Sequence, residues 1–214
     1  MMKTNIFIAG ASGSGKTSSL RNLDPNTTII LNTEGKALPF RNAKSFRMNA
    51  SVKNLTEFYA LIKRAAENKE CTTIIIDSFT SLSEQALAHC KANFKGFDQY
   101  KEYNSIIYDI IQNTKHIDKT IVFIGIDEPL QDDNGTVTRC VRVDGKALKG
   151  SIEKEFSIVL WSVVKHEDGV TRHLFETNNI GETTAKTPMG MFETRYIEND
   201  LNSVLTEIND YYKE

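Results

Sequence analysis

Residues 5–17 read Asn5-Ile6-Phe7-Ile8-Ala9-Gly10-Ala11-Ser12-Gly13-Ser14-Gly15-Lys16-Thr17. A short apolar run stops at a glycine, three glycines pass within six residues, and a lysine and a threonine close the stretch. The spacing is G-x-x-x-x-G-K-[ST], matched in full, with an apolar strand before it and a predicted helix over 16–23 after it. Gly10, Gly13 and Gly15 permit backbone angles closed to other residues, so successive N–H groups can turn toward one anion. The positive end of the following helix adds to that field. The cradle is therefore Gly10, Ser12, Gly13, Ser14, Gly15, Lys16, Thr17 and Ser18. Lys16 is expected to reach the β and γ phosphates of a nucleotide, and the Thr17 hydroxyl to ligate Mg²⁺, which keeps several waters besides. ATP, or a close relative, with Mg²⁺ is the implied ligand.

Working outward, residues 27–31 and 72–76 are β-branched apolar runs that read as buried strands. The second delivers an acid in Thr73-Ile74-Ile75-Ile76-Asp77-Ser78. In an open parallel sheet ligands bind at the C-terminal ends of strands, so Asp77 stands where a magnesium ion needs a carboxylate. The alternative is a cap, since Asp77-Ser78 could start a helix at Ser81. After the first run comes Asn32-Thr33-Glu34-Gly35. Hydrolysis needs a carboxylate to orient and deprotonate water. Position alone leaves Glu34 balanced between that base and an exposed loop residue.

Helical periodicity marks 54–69, with Leu55, Phe58, Leu61, Ile62, Ala65 and Ala66 on one face and Asn54 and Glu57 spaced as a capping box. Further helices are expected at 81–94, 98–116 and 201–212, and a fourth buried strand at 120–126. Asn134-Gly135 and Asp168-Gly169 mark hairpins, the latter joining strands at 156–164 and 170–176. Strand–helix alternation in the first half predicts a mainly parallel central sheet flanked by helices, with antiparallel hairpins added at one edge in the C-terminal half. No repeat or linker divides the chain, so residues 1–214 read as one domain.

Composition limits the alternatives. With 40% hydrophobic and 25% charged residues the chain is ordinary globular protein. A net charge of −2 excludes a basic coat but not a local basic stripe. Such a stripe is available where Lys91, Lys95 and Lys101 interleave with Phe94, Phe97, Tyr100 and Tyr103, a mixture suited to single-stranded DNA and equally to two amphipathic helices with polar outer faces. Three scattered cysteines give no disulfide framework and point to a reducing compartment. The histidines, including His166 and His173, lack zinc spacing. No signal segment or apolar span of membrane length is present, so a cytoplasmic location without membrane attachment is expected.

Taken in order, the glycine-rich loop, "LNTEG" and "IIIDSFTSL" resemble the motifs of RecA-like P-loop ATPases, and the short chain looks most like small bacteriophage proteins that include single-strand annealing and recombination ATPases. The resemblance covers roughly residues 5–192 and is specific only in the motifs. It implies that Glu34 is the catalytic base, and that the protein is a homo-oligomer, ring or filament, acting on single-stranded DNA, directly or with a single-strand-binding protein, in the cytoplasm of a bacterial host. It also implies a cationic finger reaching the neighbouring subunit's nucleotide; Lys186 is the first choice, Arg195 the second, with Lys146 and Lys149 behind them. One departure stands out: where the family carries a polar phosphate sensor, "IVFIGIDEPL" offers Asp127 or Glu128, and an acid repels phosphate unless a cation intervenes.

The leading expectation is thus an ATPase of phage DNA recombination or replication. A small-molecule kinase is the first alternative, although its arginine-rich lid is missing from the scattered arginines. A slow-hydrolysing nucleotide-binding adaptor is the second, favoured by Asp127.

Overall fold

The computed structural model describes residues 3–213. The chain runs β1 (Asn5–Ala9), a 3-10 helix (Thr17–Asn22), β2 (Thr28–Asn32), β3 (Asn49–Ser51), α1 (Leu55–Glu67), β4 (Thr73–Asp77), α2 (Phe79–Asn93), α3 (Asp98–Thr114), β5 (Thr120–Ile124), β6 (Asp127–Gln131), β7 (Val137–Val141), β8 (Ile158–Glu167), β9 (Val170–Glu176), β10 (Tyr196–Glu198) and α4 (Leu201–Tyr211). Eight strands form one sheet in the order β10-β9-β8-β1-β5-β4-β2-β3. Strands β8 through β3 of that order are parallel, and β9 and β10 are antiparallel additions on the β8 side. This is the expected mainly parallel sheet with helices on both faces.

The period-2 alternation of side chains assigns each strand residue to a face. Phe7, Ile74, Ile76, Ile121, Phe123 and Val159 point toward α1, α2 and α3. Their neighbours Ile6, Ile8, Ile75, Val122, Ile158 and Leu160 point toward Leu20 and the Leu201, Val204, Leu205 and Ile208 face of α4. Rings of Phe7, Phe123 and Phe156 lock the first core edge-on, with centroids 5.2 Å apart for Phe7–Phe156 and for Phe123–Phe156; such pairs contribute ~0.5–1.5 kcal/mol each beyond burial. α1 starts as its sequence predicts: the Asn54 side chain accepts from Glu57 N–H at 3.0 Å and Glu57 accepts from Lys53 N–H at 2.9 Å.

Two expectations change. The segment after the glycine-rich loop is a six-residue 3-10 helix, not a longer α-helix. The Ser19 hydroxyl competes locally for the backbone, donating to Lys16 C=O at 2.6 Å, and Asp24-Pro25 ends the run. The second change concerns the hairpin β6–β7, which forms a separate two-stranded sheet instead of extending the main one. Both flanks of β5 are already taken by β1 and β4, so a chain leaving β5 finds no free edge. No helix among the described residues is long and apolar enough to cross a membrane.

Candidate nucleotide site

The glycine-rich loop leaves β1 between β5 and β8, on the edge where the parallel strands end. Its glycines do what only glycine can: φ is +150° at Gly10, +78° at Gly13 and +105° at Gly15. A Cβ on Gly10 would stand 2.4 Å from the Ser162 carbonyl oxygen. Lys16 is buried and folds back over its own loop, donating to Gly10 C=O and Ala11 C=O at 2.7 Å each. Burial pulls its ammonium below the ordinary lysine range, opposed by the charges of Asp127, Asp77 and Glu34. A lysine paid with carbonyl bonds alone is ready to exchange them for phosphate oxygens.

Across the edge, β4 ends at Asp77 level with Asn32 of β2 and Ile124 of β5. The Thr17 hydroxyl donates to Asp77 Oδ2 at 2.8 Å. The two expected magnesium ligands are therefore in contact. Burial pushes Asp77 up to about 6, the Thr17 bond lowering it and the charge of Glu34 raising it. Among the described residues no group of three or more His, Cys, Asp or Glu side chains could hold a metal. One hydroxyl and one carboxylate fit Mg²⁺, which takes few protein oxygens and fills its shell with water and phosphate.

The cap alternative for Asp77-Ser78 resolves by division of labour. Ser78 caps α2, its side chain accepting from Ser81 N–H at 3.2 Å, which leaves Asp77 to Thr17. Ser78 also binds the β2 loop. Thr33 Oγ1 donates to Ser78 C=O at 2.7 Å and accepts from Ser78 N–H at 2.8 Å. The Ser78 hydroxyl then donates to Glu34 Oε1 at 2.9 Å. The loop itself is folded by Asn32, whose side chain accepts from Gly35 N–H at 2.8 Å and donates to Lys36 C=O at 2.7 Å. Glu34 is thereby a positioned carboxylate at the site. Burial opposes its ionisation, but bonds from Lys36 and Ser78 win and hold it below the usual glutamate range.

These elements enclose a cavity of about 340 Å³, walled by the glycine-rich loop at Ser12, Gly13 and Gly15 to Ser18, by Glu34 and Lys36 to Pro39, by Asp77 and Ser78, and by His173 of β9. Lys186 and Arg195 lie outside it. The Lys186 backbone bridges Val159, the residue level with Phe7 on β1, and its ammonium faces Glu153 and Glu155. Arg195 is spent on buried Glu176, with Nε at 2.9 Å. Lys149 pairs with Glu128 at 3.0 Å, and Lys146 is exposed. Asp127 is buried and ion-paired with Arg139, and Trp161 Nε1 donates to it at 3.3 Å. A cation does intervene there, and the cavity wall at that position is Ile126.

Sequence reasoning missed the residues that brace the loop from β8–β10. Ser14 C=O accepts from Ser162 Oγ at 2.9 Å and from His173 Nδ1 at 2.8 Å. Asn199 donates to Ser162 Oγ at 3.2 Å. None belongs to a motif, and nothing in the sequence singles them out: Ser162 and His173 lie within β8 and β9, and Asn199 follows β10.

The sequence matches a family model described as AAA domain over residues 2–189. No curated protein matches. Among solved structures, a KaiC-like protein from the hyperthermophilic archaeon Pyrococcus horikoshii is similar at 12% identity and a TM-score of 0.49, covering 80% of this chain and 76% of that one.

Proposed function

The chain belongs to the AAA domain family, and on that premise we propose that it binds ATP with Mg²⁺ and hydrolyses it at the cavity described above. The observation that carries the reading is the lock between the two acidic strand ends: Thr33 on Ser78, and Ser78 on Glu34, beside the Thr17–Asp77 contact. It supplies two carboxylates with separate duties. Thr17 and Asp77 would hold Mg²⁺, which neutralises phosphate charge when bound. Glu34 would take a proton from water as the water oxygen bonds to the terminal phosphorus and the bond to the departing diphosphate breaks. Lys16 and the loop N–H groups would bear the charge that accumulates on the phosphate oxygens.

The finer reading is an oligomeric ATPase of phage DNA recombination or replication, ring or filament, acting on single-stranded DNA in the bacterial cytoplasm, with or without a single-strand-binding protein. The α2–α3 turn supports it: Phe97 is 91% exposed, and Phe94 and Tyr100 are exposed beside it, next to exposed Lys91, Lys95 and Lys101. Aromatic faces with flanking lysines can stack bases and meet phosphates. Lys186 is the proposed finger toward a neighbouring subunit, consistent with its standing outside its own cavity.

ATP turnover by the purified protein, with and without single-stranded DNA, tests both levels, with Lys16→Ala as the blank. Turnover in the wild type alone supports the ATPase, and stimulation by DNA supports the finer reading. Turnover equal to the blank under every condition removes the hydrolase and leaves the nucleotide-binding adaptor.

A further inference from the structure

Glu34 carries a partner that hydrolysis does not require. Lys36 Nζ lies 2.6 Å from Glu34 Oε2 while the Ser78 hydroxyl holds Oε1. Both oxygens of the carboxylate are engaged, and one faces the full positive charge of the Lys36 ammonium. In that state the group is a poor acceptor for a proton from water. Lys36 can leave: its side chain is 79% exposed, against 24% for Glu34, so water reaches the ammonium end of the pair, and pairs open to water shift an equilibrium by about fivefold. It also lines the same cavity as Lys16, and these are the two Lys or Arg side chains on that wall.

We propose that Lys36 is a latch on Glu34 that opens by moving to the terminal phosphate of ATP. The inference rests on Glu34 being the base. A base must adjoin the phosphorus that water attacks, so a lysine touching Glu34 is within a side-chain swing of the terminal phosphate. Triphosphate draws Lys36 off the carboxylate by offering a denser anion; diphosphate leaves the latch closed. The same movement unmasks the base and adds a cation where charge builds in the transition state. Lys36 is in this account a positioning residue for Glu34 and a discriminator of ATP from ADP.

The test is equilibrium binding, so it reads independently of turnover. The probes are ADP and a β,γ-imido analogue of ATP, each with Mg²⁺. Lys36→Ala should weaken the analogue about tenfold or more and leave ADP within about twofold, while Lys36→Arg keeps the preference. Glu34→Gln, by freeing Lys36, should tighten the analogue by up to about fivefold, and the gain should vanish in the Lys36→Ala background. The latch is wrong if Lys36→Ala affects the two probes alike, or if the gain from Glu34→Gln survives without Lys36. A wild-type protein that binds neither probe overturns the ATP reading itself, and the latch with it.

Discussion

The glycine-rich loop is held from two sides by different means. On the β4–β2 side one contact reaches the loop, Thr17 on Asp77, and beside it Ser78 and Lys36 hold Glu34, the groups assigned to the proposed reaction. On the β8–β10 side the contacts are braces: Ser162 and His173 on Ser14 C=O, and the Ser162 carbonyl against Gly10. The first side presents charge and exposed surface to a cavity. The second is packed against Gly10 so closely that a Cβ there cannot enter, and only its exposed His173 also reaches the cavity. On the proposed hydrolysis, the first side carries groups that must change partners and the second carries groups that must not.

The largest effects belong to the first side. Lys16→Ala should abolish nucleotide binding, and a calorimetric titration with ATP and Mg²⁺ reads it directly. Glu34→Gln should retain nucleotide and lose turnover by about 10²–10⁴-fold; normal turnover in this variant would mean that the base is elsewhere and that the two sides do not differ as argued. Next comes the brace. Gly10→Ala forces a methyl onto the Ser162 carbonyl at φ +150°, and overpacking of this kind costs roughly 1–3 kcal/mol. The loss should appear in urea unfolding even without nucleotide. A variant as stable as the parent would show that β8 yields, and that the brace is softer than the contacts imply.

The division also explains what the sequence made legible. The chemical side is written in contiguous words: eight residues for the loop, Asn32 to Gly35, and Asp77-Ser78. Each word sits at the end of a short, continuous apolar run that reads as a buried strand, so the parallel sheet and its ligand edge follow together. The brace is built from Ser162, His173 and Asn199, which are distant from the loop in sequence and ordinary in type. His173 read as a histidine without zinc spacing, and that reading said nothing about a carbonyl 159 positions away. The hairpin at 127–141 was seen but misplaced, since only strand order reveals that β5 is interior. The helix at 16–23 follows from its place after the glycine-rich loop, but that place does not tell a short 3-10 turn from an α-helix. Lys36 was passed over because one lysine after a glycine carries no pattern until its distance to Glu34 is known.

The smallest effects separate the members of the brace itself. Ser14 C=O has two lone pairs and two donors, so removing either donor leaves the other in place. Ser162 is buried and also accepts from buried Asn199, so Ser162→Ala strands a second polar group and should cost about 1–2 kcal/mol. His173 is exposed, and water can replace its bond to Ser14, so His173→Ala should cost about 0.5 kcal/mol or less. The double variant should exceed the sum, because only then does the carbonyl lose both partners and the loop its tether to β8 and β9. Urea unfolding of the four proteins gives the coupling. Strict additivity would mean that the two bonds act on the loop independently, each holding Ser14 without help from the other.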